Sequence, residues 1–292
     1  MNMLFAREVG LPKYFSRRLA LFLLHQIPRR VARLRLPTGL DMILPCESFF
    51  GRDVYVTNAQ VDWGSEALFC RHLDAAGDFV DAGANIGYYS LYAAPLVRRV
   101  FSFEPDARNH PALEANAATA GNVLIRKAAL SNVTGGVALD VSANPEVSKI
   151  VLATPGGTDS AAVHAITLDD FANEQPELRM TGLKIDTEGH ELEILRGGHR
   201  TILRDQPLIL VELMHLPGQS GEKDFARLAE FAEATGHSLF AFTPGESGLL
   251  RAARFRLVPL PSAVTFAAHA TKMIFLVPAR LRPVFEAECN RR

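Results

Sequence analysis

The stretch "LKIDTEGHELEILRGG" (183–198) places Asp186, Glu188, His190, Glu191 and Glu193 within eight positions. Carboxylates and an imidazole at this density can take a proton from a reacting group. Oxygen ligands of this kind also suit Mg²⁺, although no residue is assigned to a metal. The apolar run before Asp186 reads as a buried strand, so the acids stand at its carboxyl end, where open α/β sheets bind ligands. Asp186 and His190 are the leading candidate bases, with Glu188 beside them. Glu191 and Glu193 begin a helix, where the dipole alone accounts for acids, and His190 reads equally well as a solvated first-turn residue. His215, just past "LILVEL" (208–213) and close to Glu212, is a second candidate base.

A second stretch, "FVDAGANIGYYS" (79–90), runs from an apolar strand through a glycine turn into a helix. Glycine permits the sharp turn and lets a ligand approach the backbone. Dinucleotide folds use G-x-G-x-x-G, but here Asn85 takes the second glycine's place and Tyr88 falls in the last slot. That weakens an NAD(P)-dependent oxidoreductase reading. The spacing, Asp81-x-Gly83-x-Asn85-x-Gly87, is similar instead to the S-adenosylmethionine turn of Rossmann-like methyltransferases. Asn85 tolerates the left-handed conformation such a turn needs. Helix-end N–H groups near residues 85–88 are expected to meet the methionine carboxylate. Glu104, 23 residues after Asp81, ends the next strand and is placed to accept two hydrogen bonds from ribose hydroxyls.

Elements that must position these residues follow from periodicity and punctuation. Strand, helix, strand, helix, strand is expected over 78–130, with Pro95, Pro105 and Gly121 as stops. "GGVALDVS" (135–142) and "SKIVLA" (148–153) alternate and predict an antiparallel excursion at or beside the sheet edge. A strand running into a helix follows at 165–172, then strands at 182–186, 207–213, 237–242, 254–260 and 263–268, with helices at 190–203 and 221–236. The expectation is an α/β, mostly parallel, doubly wound sheet with an antiparallel edge. If the strands ending at 82 and 186 flank the reversal of strand order in the order 3-2-1-4-5, Asp186 faces the same crevice as Gly83.

Six blocks in register, "FVDAGANIGYYS", "VFSFEPDARNHPALEANAA", "NVLIRKAALSN", "ITLDDF", "LKIDTEGHELEILRGG" and "LILVELMH", resemble the FkbM family of S-adenosylmethionine-dependent methyltransferases over roughly residues 78–245. The resemblance implies a Rossmann-like class I methyltransferase fold and methyl transfer to a hydroxyl of a sugar, glycolipid or polyketide-type acceptor. It implies that Asp81, Gly83, Asn85 and Gly87 hold the methionine part of S-adenosylmethionine, Glu104 the ribose, and Lys127–Leu130, with Ala128, the adenine. Asp186, Glu188 and His190 would line the reaction site, Asp186 also touching the cofactor; the base is left open. A non-catalytic cofactor-binding module that kept the fold is the other rival.

The chain of 292 residues is 48% hydrophobic and 22% charged, with a net charge of −1. These are ordinary values for a globular protein, and no global field draws it to nucleic acid. Cys46, Cys70 and Cys289 show neither metal spacing nor a disulfide framework, as expected in a reducing cytoplasm. Residues 1–36 carry eight basic residues against Glu8 alone, and Leu19, Phe22, Leu23 and Ile27 recur at helical spacing. Such a helix can lie on an anionic membrane surface; packing of its apolar stripe on the domain is the expectation. The divisions read are a basic helical extension (1–77) capping the acceptor side, a methyltransferase domain (78–268) and a C-terminal tail (269–292). The extension and the tail would shape the acceptor pocket or an oligomer contact.

Overall fold

The short runs Asp78–Ala82 and Met180–Ile185 are buried along their whole length, as strands covered on both sides must be, even at Asp78, Asp81 and Lys184. The computed structural model describes residues 9–25, 31–45, 48–141, 149–151, 160–218, 221–245 and 253–290. In chain order these form α1 (Leu11–His25), the hairpin β1 (Ala32–Arg35) and β2 (Asp41–Leu44), α2 (Phe49–Thr57) and α3 (Ser65–Arg71). Then come β3 (Asp78–Ala82), α4 (Tyr88–Ala93), β4 (Arg99–Phe103), α5 (His110–Ala117) and β5 (Val123–Arg126). A small-sheet segment follows: β6 (Ala129–Ser131), β7 (Gly135–Asp140), β8 (Lys149–Val151) and β9 (Ser160–Thr167). The rest is α6 (Leu168–Glu174), β10 (Met180–Ile185), α7 (Glu191–Gly197), α8 (His199–Asp205), β11 (Leu208–His215), α9 (Glu222–Ala234), β12 (His237–Pro244), β13 (Phe255–Pro259), α10 (Ala263–Ala267), β14 (Thr271–Pro278) and α11 (Arg282–Cys289).

The main sheet has the order β13-β12-β14-β11-β10-β3-β4-β5. The five strands from β5 to β11 are parallel, and β14 is antiparallel to both β11 and β12. With β3 as the first strand, β5-β4-β3-β10-β11 is the expected 3-2-1-4-5 order of a Rossmann-like class I methyltransferase fold. Strand order reverses between β3 and β10, and a crevice opens above their carboxyl ends.

Four expectations are corrected. The stretch 122–130 is two strands, not one: β5 closes the main sheet, while β6 pairs with β9 in a separate four-stranded sheet of order β6-β9-β7-β8. The antiparallel excursion is therefore a sheet of its own; residues 142, 148, 152 and 153 of its two runs lie outside the described residues. Residues 263–267 are helical because the Ser262 side chain accepts a hydrogen bond from the Thr265 N–H and caps the turn, against the strand preference of Val264 and Thr265. The expected C-terminal tail contains β14, wholly buried between β11 and β12. The antiparallel strand thus lies inside the sheet as well as at its edge.

The core does not divide at residue 77 or 268. Leu34, Met42, Val54 and Phe69 pack in one cluster with Phe79, Tyr88, Val100, Phe275 and Phe285, so both ends of the chain belong to the same folded body.

Candidate active site

A cavity of about 400 Å³ lies over the β3 and β10 ends. Gly83, Ala84 and Asn85 form one wall, and Glu104 and Pro105 the next. Ala129, Leu130, Leu139 and Ile150 of the small sheet stand across from them. Lys184, Asp186, Thr187, Glu188 and Glu212 come from the β10 and β11 ends. Phe50, Val61, Asp62, Tyr88, Tyr89, Met214 and Lys272 complete the lining.

The glycine turn is built differently from its sequence reading. Gly83 has φ +75°, and a Cβ there would stand 1.9 Å from the Asp186 carbonyl oxygen. Glycine is required by the neighbouring strand's approach, besides any ligand. The turn's donors are already engaged. The N–H groups of Gly83 and Ala84 donate to Phe103 O, that of Asn85 to the Glu104 carboxylate, and that of Gly87 to Ala84 O. Ile86 N–H donates to Asn85 Oδ1 at 2.7 Å, which holds Asn85 at φ +51°. The free N–H groups expected for a methionine carboxylate are thus already taken at positions 85–87.

Glu104 is almost wholly buried. It accepts from Asn85 N at 2.7 Å, Asp106 N at 2.9 Å and Asn109 Nδ2 at 3.3 Å. A carboxylate offers about four lone-pair sites, so one further hydrogen bond fits, and the expected second only by giving up the long Asn109 contact. Burial pushes its carboxyl up to about 7, against those backbone donors.

Under the turn, Lys184 is buried within the apolar run of β10. Its Nζ donates to Gly83 O at 2.9 Å and lies 3.5 Å from Asp81 Oδ1 and 3.3 Å from Asp186 Oδ2. Burial alone would lower its pKa, but the Asp186 and Asp81 charges raise it above the usual lysine value. Asp81 accepts from Ser90 Oγ at 2.6 Å, and burial pushes its carboxyl up against the pull of Lys184. It braces the site from beneath and is not part of the cavity wall.

Asp186, Glu188 and Glu212 each bring a carboxylate oxygen within 4.8 Å of the others. The Asp186 charge, then burial and a hydrogen bond to Asp186, push Glu212 well above the carboxylate range. Beside Asp186, Glu212 is thus driven towards its neutral form, because like charges this close do not both ionise readily. Asn85 and Glu188 have positive φ, as do Asn58, Ala59 and Trp63 around Val61 and Asp62. Asn tolerates this conformation, whereas Glu188, Ala59 and Trp63 pay about 1 kcal/mol or more for it; Gln206 also has positive φ and does not line the cavity.

The two histidines are not brought to the acids. His190 stands at the N-cap position of α7 with no capping side-chain bond; its Nε2 lies 2.9 Å from Ser131 Oγ, and it does not line the cavity. Burial lowers its pKa, with Glu193 and Glu191 opposing. His215 is buried with its ring 4.4 Å from that of Phe266, and neither of its ring nitrogens has a hydrogen-bond partner among the described residues. Gly87 starts α4 at φ +90° and packs towards Leu113, while Ala128 turns the chain between β5 and β6 and leaves the wall to Ala129 and Leu130. Glu191 closes the 187–189 loop through Oε1, which accepts from Thr187 N, Thr187 Oγ1 and Gly189 N.

Sequence reasoning missed Asp62, Glu66, Tyr89, Lys184 and Lys272. Lys272 Nζ donates to Val61 O at 2.6 Å and lies 5.4 Å from the Trp63 ring centroid; Asp62 accepts from Tyr89 Oη at 2.7 Å. The available signal was a lone lysine inside an apolar strand, which occurs twice, in "GLKI" and "TKMIFLV". Behind Asp62, Glu66 accepts from Asp62 N at 2.8 Å and from Tyr88 Oη at 3.1 Å. Its Oε2 is buried with no partner among the described residues. Burial, then the Asp62 charge, raise its pKa from 4.5 to about 7.

A stability prediction follows from Glu66. The folded state binds its proton more tightly than the unfolded chain, so wild-type stability falls as pH rises from about 4.5 to about 7 and then levels. Glu66→Gln removes that titration. The variant is expected to melt with wild type at pH 4 and to gain about 1–3 kcal/mol over it at pH 8, as read by thermal unfolding across that range.

Comparison with known proteins gives the family. The model described as "Methyltransferase FkbM domain" matches residues 81–239. The hexuronic acid methyltransferase AglP of Haloferax volcanii is 28% identical over 134 residues, 46% of this chain and 54% of that protein. The chain thus spans about half the length of the curated relative it matches. Among solved structures, methyltransferase FkbM from Methylobacillus flagellatus KT aligns at 13% identity and TM-score 0.44, covering 89% of this chain and 59% of that one. Precorrin-6y C5,15-methyltransferase from Geobacter metallireducens aligns at 15% and 0.40, covering 76% and 90%. Strand order, rather than these distant likenesses, identifies the fold. The family match takes in more than half of the chain, from Asp81 at the end of β3 through the acidic ends of β10 and β11: the chain belongs to the FkbM methyltransferase family.

Proposed function

We propose that the cavity binds S-adenosylmethionine and that the protein transfers its methyl group to a hydroxyl oxygen of a sugar-like or other small-molecule acceptor. The observation carrying this reading is that one cavity joins the Gly83–Asn85 turn, Glu104 with a spare acceptor position, and Asp186. The donor set fits that cofactor. Phe103, Ala129, Leu130, Leu139 and Ile150 offer an apolar slot for a purine, Glu104 an acceptor for a ribose hydroxyl, and the acids a wall suited to a cation. When bound, S-adenosylmethionine supplies an electrophilic methyl carbon on a positively charged sulfur. Asp186 takes the acceptor's hydroxyl proton, and Glu212 steadies Asp186 through the proton it holds. Phe50, Tyr88, Tyr89 and Met214 shape the remaining space for the acceptor. Much of the rate comes from holding the acceptor oxygen in line. The acceptor class draws on the relative named for hexuronic acid. The acid trio is also a set of oxygen ligands of the kind Mg²⁺ takes; metal-dependent turnover, abolished by chelation and restored by Mg²⁺, would add that ion to the reading.

Calorimetry with S-adenosylmethionine, with NAD as the contrast, tests the proposal. Binding of the first and not the second is expected; the reverse overturns it. Glu104→Ala should weaken affinity about 10- to 100-fold, the worth of a hydrogen bond to a charged group. Because Glu104 accepts best when ionised and titrates near 7, wild-type affinity should fall as pH drops below 7 and level off above about 8. Glu104→Gln should flatten that profile. A mass increase of one methyl on a sugar panel would identify the acceptor.

A further inference from the structure

The apolar stripe of α1 does not pack on the domain as expected. Tyr14 and Leu21 are buried, and Arg17 Nε donates to Tyr55 O of α2 at 2.6 Å, its guanidinium 4.8 Å from the Tyr55 ring. That is the docked side. Phe15, Leu19, Phe22 and Leu23 are 53%, 59%, 61% and 56% exposed. Their spacing of four, three and one puts them on one face of the helix. Ile27, the next residue of the stripe, lies outside the described residues. Four large apolar side chains held out together mark an interaction surface rather than scattered exposure.

The charge around this face selects its occupant. α1 carries Lys13, Arg17 and Arg18 and no acidic residue; Arg17 is on the docked side, whereas Arg18 lines a shallow groove with Phe15, Leu19 and Phe22. A second copy of the chain meeting this face by twofold symmetry would set those cations against themselves. An anionic lipid surface accepts both the apolar stripe and the basic residues of the same helix. No described helix is long and apolar enough to cross a membrane, which leaves a helix lying in the headgroup plane. We infer that α1 docks the protein on anionic membranes through Phe15, Leu19, Phe22 and Leu23. Since α2 carries Phe50 into the cavity wall, docking holds the cavity one helix away from the lipid. The inference is independent of the reaction proposed above.

Flotation of the full chain with vesicles of phosphatidylcholine, alone or mixed with phosphatidylglycerol, is the test. Binding to the anionic vesicles at about 0.05 M salt is expected, with a loss of about tenfold or more at about 0.5 M. Leu19→Ser with Phe22→Ser should weaken binding about 100-fold while leaving circular dichroism unchanged, since both side chains are exposed. Phe15→Ser with Leu23→Ser gives an independent second reading. No flotation with anionic vesicles at low salt, or equal flotation of both paired variants, overturns the inference. So does a wild-type dimer in sedimentation velocity that both pairs convert to monomer.

Discussion

Asp186→Asn is expected to keep S-adenosylmethionine affinity close to wild type and to lose about 10²–10⁴-fold in kcat, the usual worth of a positioned base. The expectation rests on a division of labour within a carboxyl pair. The Asp186 charge, then burial, push Glu212 towards its neutral form; Asp186, 3.3 Å from Lys184 Nζ, is the member we propose as the proton acceptor. An amide at 186 keeps the size and can still face Lys184 through its oxygen, but it cannot take a proton. Glu212→Gln behaves differently, because its amide N–H can replace the O–H donated to Asp186. That variant should stay within about tenfold of wild type, whereas Glu212→Leu, which deletes the donor, should fall further. The pH profile of kcat/KM reads the pair rather than either member. A normal Asp186→Asn beside an inert Glu212→Gln would exchange the two roles. Neither His190→Ala nor His215→Ala should mimic Asp186→Asn, since neither ring lines the cavity.

What the sequence disclosed about this site was whatever is local to a strand end. Gly83, Asn85, Glu104 and Asp186 follow apolar runs at spacings that a βαβ path converts directly into proximity, so the reversal point and its acids were legible. Orientation was not. His190 and Glu188 are two residues apart, yet the positive φ at Glu188 and the following Gly189 swing the chain so that the imidazole meets Ser131 of the small sheet. Nor could local spacing show how the turn spends its own N–H groups, since two of the donors go to Phe103 O, one strand away. Asp62 and Lys272 reach the cavity from opposite ends of the chain, a separation no short motif spans. The strand carrying Lys272 was mistaken for a tail because nothing in "TKMIFLVP" says that β11 and β12 stand apart and leave a place between them. A run of five apolar residues becomes a central strand only through that vacancy.

Lys184→Met tests the support beneath the cavity and should produce the largest stability loss. Removing one partner of a buried ion group costs about 3–5 kcal/mol, because the remaining charge is stranded. Here the stranded group is Asp81, fully buried and still accepting from Ser90 Oγ. The sign of the pH effect follows from Asp81. Its folded pKa, already raised by burial, climbs further without the lysine, so the folded variant binds a proton that the unfolded chain releases above about 3.8. The variant's deficit should therefore be widest near pH 8 and shrink as pH falls towards 4. Adding Asp81→Asn removes the stranded charge, and the double variant should recover most of the loss at pH 8. Thermal unfolding of the three proteins at both pH values measures this. A deficit that is the same at pH 4 and 8, or a double variant worse than the single, would mean that Lys184 acts through packing and its bond to Gly83 O rather than by compensating Asp81.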